Sequence, residues 1–138
     1  MQRGDKAVVR PDLDQVANVD DQAFRIGNWD SEKVGYFTPY LDTDKLGILK
    51  DGEVLCDQLG LDFNDVYART NTSYKPLQID GVWFSDYKSS SSVERIEAFI
   101  KLGRPDPVAY ADETGPVNYD TARVHAEQVL KEYQSNAA

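Results

Sequence analysis

The chain has 138 residues and a mass of 15.5 kDa, the size of one domain that can bury a core without metal or disulfide staples. Apolar residues make up 41% and aromatic ones 11%, far too rich for a disordered acidic tail. Lys and Arg number 15 against 24 Asp and Glu, and a net charge of −9 disfavours attraction to a phosphate backbone or an anionic bilayer, so neither direct nucleic-acid binding nor membrane binding is expected.

The acids are 17 Asp and 7 Glu, and Asp favours turns and caps where Glu favours helix interiors. A loop-rich or strand-rich chain is the expectation. Cys56 is the one cysteine, so an internal disulfide is impossible, and its neighbours Leu55 and Leu59 point to a small buried hydrophobe in a reducing interior. Met1 to Lys6 lacks the apolar stretch of a signal peptide, and no apolar run approaches membrane-spanning length. A soluble protein inside the cell, with residues 1–138 as a single domain, is expected.

In chain order, Lys6 to Arg10 reads as a short strand stopped by Pro11, and Ala23 to Ile26 and Val34 to Tyr40 as further strands between breakers. Asp42 to Glu53 tempts a calcium reading, because Asp42, Asp44, Gly47 and Glu53 fall at the first, third, sixth and twelfth positions of an EF-hand loop. Leu46 and Lys50 occupy positions that need oxygen ligands, and no entering helix precedes Asp42. A turn-rich hairpin at Lys50-Asp51-Gly52-Glu53 is the stronger reading. The cofactor expectation is none, with calcium on Asp42, Asp44 and Glu53 as the runner-up.

Glu53 to Thr70 has the spacing of two short helices crossing at a glycine turn, with Leu55, Cys56, Leu59, Gly60, Leu61 and Val66 as packing positions. As a DNA reader it fails, since Asp57, Asp62 and Asp65 would repel phosphates. Leu77 to Phe84 reads as a hairpin, because Asp80-Gly81 supplies the positive φ angles of a type I′ turn. Ser91-Ser92-Val93-Glu94 matches a capping box, followed by Ile96, Phe99 and Ile100 at helical spacing and stopped by Gly103. Arg104 to Asn118, with three Pro, reads as an extended connector; Tyr119 to Tyr133 carries a second amphipathic pattern. The fold class expected is α+β: a β-rich N-terminal two thirds with hairpins, and two amphipathic C-terminal helices packed on it.

His125 is the lone histidine and borders an apolar stripe, and the hydrolase, metalloprotease and phosphate-loop motifs have no match. The function expected is therefore non-catalytic: an interaction or structural protein working through contacts with a protein partner or with itself, such as a component of a larger, virus-like assembly. An acidic inhibitor mimicking nucleic acid, and a small carboxylate-dependent hydrolase or ligand-binding domain, are the alternatives. Trp83, Phe84 and Tyr87 are the candidate contact residues, since alternation on a strand sends Trp83 and Phe84 to opposite faces.

Overall fold

The computed structural model describes residues 40–138, and the strands read between residues 6 and 40 lie, but for Tyr40, outside them. The chain divides into two compact units, Met1–Asp44 and Lys45–Ala138, and all the elements below belong to the second.

Helix α1 spans Lys45–Leu59. The turn expected at Lys50–Glu53 is thus mid-helix, and the reason is tertiary. Leu49 and Cys56, seven residues apart on one helical face, are buried with Phe63, Ala98 and Phe99, and that burial outweighs the turn preference of Asp51-Gly52. The helix stops at Gly60, whose φ of 67° suits a residue without a Cβ. Asp62 then caps α2 (Phe63–Tyr67) by accepting the Asp65 amide at 2.9 Å. Two helices joined by a glycine turn are as read for Glu53 to Thr70, but of the packing positions only Cys56 is buried and Val66 half-buried, while Leu55, Leu59 and Leu61 are exposed.

Strands β1 (Leu77–Ile79) and β2 (Val82–Phe84) pair antiparallel in the register Leu77↔Phe84, Gln78↔Trp83, Ile79↔Val82. Asp80 and Gly81 adopt φ of 49° and 78°, the two positive angles that a type I′ turn needs. Helix α3 (Ser90–Leu102) has its N-cap at Ser89, two residues before the Ser91 expected there and without a capping bond from the Ser89 side chain, and ends at Gly103, whose amide donates to the carbonyls of Phe99 and Ile100.

The connector expected to be extended holds a second hairpin, β3 (Tyr110–Asp112) against β4 (Gly115–Val117). It is tied to the first by Ser85, whose amide donates to Ala109 O at 2.8 Å and whose carbonyl accepts from the Ala111 amide at 3.1 Å. Helix α4 (Tyr119–Ala137) starts at Asn118, which accepts the Thr121 amide at 2.9 Å.

Helix α3 is the central element. One side sends Val93 and Ile96 into a core with Tyr87, Tyr110, Ala122 and Ala126, and the other sends Ala98 and Phe99 into the core under α1. Ala122 and Ala126 have no exposed surface, and their small side chains let α4 lie close on α3. Four helices and two small hairpins make the described part α+β. No helix among the described residues is long and apolar enough to cross a membrane.

Candidate functional site

Two polar nodes, one at the N-terminus of α3 and one at its middle, tie the helix to its surroundings, and an apolar groove opens beside it. The first node is built on Asp86, in the link between β2 and α3. The hydroxyls of Ser73, Ser89 and Ser92 converge on its Oδ1, Ser89 at 2.9 Å and Ser92 at 3.1 Å. The amides of Lys88 and Ser89 donate to Oδ2 at 3.0 and 2.6 Å. Partial burial pushes this carboxyl upward, but the bonds from Ser73, Ser89 and Lys88 prevail and hold it below the usual carboxylate range. Asn71 extends the node: its Oδ1 accepts the Ser73 amide at 3.0 Å and the Ser85 hydroxyl at 2.9 Å. Ser85 and Ser92 are almost wholly buried, so these hydroxyls need the partners they have.

The second node is an ion pair within the core. Arg95, on α3, grips Asp106 with two bonds, Nε to Oδ2 at 2.5 Å and Nη2 to Oδ1 at 2.8 Å. Asp106 also accepts the Tyr110 hydroxyl at 2.8 Å and the Val108 amide at 3.0 Å. The remaining Arg95 donors reach Thr70 Oγ1 at 2.9 Å and the Tyr67 carbonyl at 3.2 Å. Burial, and then the Asp106 charge, hold the Tyr110 phenol above its ordinary value, so it remains a donor at any working pH.

The groove has a volume of about 550 Å³ and lies between α1, α2 and α3. Its walls are apolar, formed largely by Ile48, Leu55, Leu59, Leu61, Val66 and Phe99, while Lys45, Arg95 and residues 70–72 give it one polar end. Lys45 is tied down there, donating to Glu94 at 2.8 Å and to the Ser91 carbonyl at 3.1 Å.

The residues singled out from sequence do not gather at this groove. Trp83 is 62% exposed on β2, Phe84 is half-buried on the opposite face, and Tyr87 turns into the core, where its hydroxyl donates to Asp112 at 2.7 Å and its ring meets His125 edge-on. Tyr87 therefore presents no contact surface. The calcium loop is also corrected: Lys45 to Glu53 winds as helix and cannot wrap around an ion, and Glu53 pairs with Arg104 at 2.8 Å. Among the described residues, no group of three His, Cys, Asp or Glu side chains is placed to hold a metal ion.

Sequence reading missed both nodes and the groove. The bonds from Ser73 to Asp86 and from Arg95 to Asp106 join residues 13 and 11 positions apart, beyond any local pattern. The groove did leave a signal, because Ile48, Gly52, Leu55 and Leu59 form a stripe once residues 45–59 are read as helical.

Three curated bacterial proteins are similar to this chain. The 7-cyano-7-deazaguanine synthase of Psychromonas ingrahamii is 44% identical over 81 residues, 59% of this chain and 31% of that protein. Two proteins of Colwellia psychrerythraea match over 78% of this chain and 42% of their own length: 7-cyano-7-deazaguanine synthase 2, 37% identical over 108 residues, and synthase 1, 31% identical over 110. The chain thus spans between 31% and 42% of the relatives it matches. No family model matches the chain, and no solved structure does. A matched stretch of 108 residues is much longer than the unit Met1–Asp44, so the similarity necessarily extends well into Lys45–Ala138. These relatives carry the name of an enzyme, which overturns the expectation of a non-catalytic structural or assembly protein and, with it, that of an acidic inhibitor.

Proposed function

We propose that this chain serves the formation of 7-cyano-7-deazaguanine, as the counterpart of the part of a synthase that it matches. The observation that carries this reading is the 37% identity over 108 residues to the Colwellia synthase 2, which spreads across most of the chain. In this reading the unit Lys45–Ala138 is a rigid wall of the enzyme. The Asp86 and Arg95–Asp106 nodes lock α3 against both hairpins, and α3 in turn holds α1 with its groove in a fixed orientation. An intracellular setting fits, with Cys56 as a small core residue and not a disulfide partner.

A chimera tests this. The matched stretch of the Colwellia synthase 2 is replaced by that of this chain and expressed in a bacterium deprived of its own synthase, and 7-cyano-7-deazaguanine is measured by mass spectrometry. Product at a level comparable to that from the unmodified synthase is the expected result. A folded, soluble chimera that makes none, while the unmodified synthase does, overturns the reading.

A further inference from the structure

A cleft of about 360 Å³ lies between residues 68–71, Val108 and the end of β2, and Trp83 and Phe84, two of the aromatics singled out from sequence, both line it. One of its walls is an open strand edge. Ile79 and Val82 flank the two-residue turn and exchange the hydrogen bonds that close it, so the next pair, Gln78 and Trp83, turns its amides and carbonyls away from the facing strand. Ser85 stands two residues further along the same edge and fills its own groups with the Ala109 carbonyl and the Ala111 amide. Trp83 has no such neighbour: among the described residues, nothing bonds its amide or its carbonyl from that side. Unpaired backbone groups on a strand edge, beside an indole that is 62% exposed, form a template for a further strand.

The charge in this cleft selects the occupant. Arg69 lines it and is exposed. Each of the other described arginines holds a carboxylate, Arg95 that of Asp106, Arg104 that of Glu53 and Arg123 that of Glu127, whereas Arg69 makes no ion pair or side-chain hydrogen bond among the described residues. We propose that the edge of β2 at Trp83 seats an extended segment of a partner protein that carries one Asp or Glu side chain. The segment's backbone exchanges two hydrogen bonds with Trp83, an apolar side chain lies against Trp83 and Val108, and its carboxylate meets Arg69. A single carboxylate suits the cleft, because the net charge of −9 repels an acidic run and disfavours a nucleic-acid strand.

The test selects short random peptides, displayed on phage, against the full chain and remakes the enriched sequences as acetylated, amidated peptides, so that only a side chain can supply negative charge. Sequences that combine one Asp or Glu with β-branched or aromatic residues are the expected result, and titrating such a peptide should shift the Trp83 amide and indole resonances in the NMR spectrum. Arg69→Gln removes the cation without taking a bond from the fold, so it should keep the parent's melting temperature and weaken the peptide about tenfold, the effect of losing one charge-assisted hydrogen bond. Methylating each peptide nitrogen in turn should abolish binding at the one that donates to the Trp83 carbonyl. No enrichment, enriched peptides without an acid, equal affinity for Arg69→Gln, indifference to methylation at every position, or shifts confined to Gln78 on the outer edge of β1 would each overturn the proposal.

Discussion

The Tyr67 side chain lies over Gly52 so closely that a methyl group there would overlap the phenol oxygen. This contact lets α2 press on the middle of α1, with the Tyr67 ring stacked on Phe63 at 4.2 Å and edge-on to Phe99. Ala in place of Gly within a helix ordinarily gains about 1 kcal/mol, but crowding a packed site costs about 1–3 kcal/mol. Gly52→Ala is therefore expected to destabilise, by roughly 1 kcal/mol in urea unfolding. In a Tyr67→Phe background the overlapping oxygen is gone, and the same substitution should cost less. A stabilising Gly52→Ala in the parent protein would show that the two helices do not pack this closely.

Asp106 and Arg95 are predicted to be unequal partners. Removing the carboxylate leaves a buried guanidinium charge with only the neutral acceptors Thr70 and Tyr67 and takes the acceptor from the Tyr110 phenol and the Val108 amide, whereas removing the guanidinium leaves Asp106 with those two donors. Breaking a buried pair from one side costs about 3–5 kcal/mol, so Asp106→Ala should fall in that range and Arg95→Met clearly below it. Urea denaturation of both variants and the double variant gives the order and the coupling. Equal losses would mean that Tyr110 and Val108 find other acceptors once the carboxylate is gone.

Much of this architecture is written in local chemistry. Asp80-Gly81, the helical spacing of Val93, Ile96 and Phe99, and the stop at Gly103 can be read directly, because each element is specified by neighbours within four residues. Two elements could not be read this way. Residues 45–59 contain Gly47 and Asp51-Gly52, which locally favour a turn, and only burial of Leu49 and Cys56 against α3 makes the segment helical. The hairpin at 110–117 hides behind three prolines; Pro116 is tolerated because the sheet has two strands, so its missing donor interrupts no further ladder. Within the Ser89 to Ser92 run, Ser89 and Ser92 supply donors to the Asp86 node, whose other half sits at Ser73. Sites assembled from such distant pairs have no local signature.

The Asp86 node makes its own prediction. Asp86→Asn preserves shape but replaces one acceptor oxygen with an amide group, so it cannot serve the Lys88 and Ser89 amides and the three hydroxyls together. Bonds to a charged group are worth about 1.5–3 kcal/mol and neutral ones about 1, so Asp86→Asn should cost more than Ser92→Ala. Amide exchange at Lys88 and Ser89 should speed up in Asp86→Asn and stay slow in Ser92→Ala. Unchanged exchange at both amides in Asp86→Asn would mean that they are protected by burial and not by the carboxylate.

Tyr87 and Asp112 should give the protein two pH edges through one hydrogen bond. The Thr114 hydroxyl first, then the Tyr87 hydroxyl, hold the Asp112 carboxyl down at about 2 against an ordinary 3.8. The same bond to Asp112, reinforced by burial, pushes the Tyr87 phenol up to about 12 from 10. For Asp112 the folded value lies below the unfolded one, so its contribution is present above pH 3.8 and is lost as pH falls toward 2. For Tyr87 the folded value lies above the unfolded one, so its contribution is full below pH 10 and is lost as pH rises through 12. Tyr87→Phe removes the shared bond, and its melting temperature should therefore fall short of the parent's by a constant amount between about pH 4 and 10, the two curves drawing together beyond either edge. A gap that stays constant from pH 2 to 12 would assign the loss to packing around the Tyr87 ring and His125 alone.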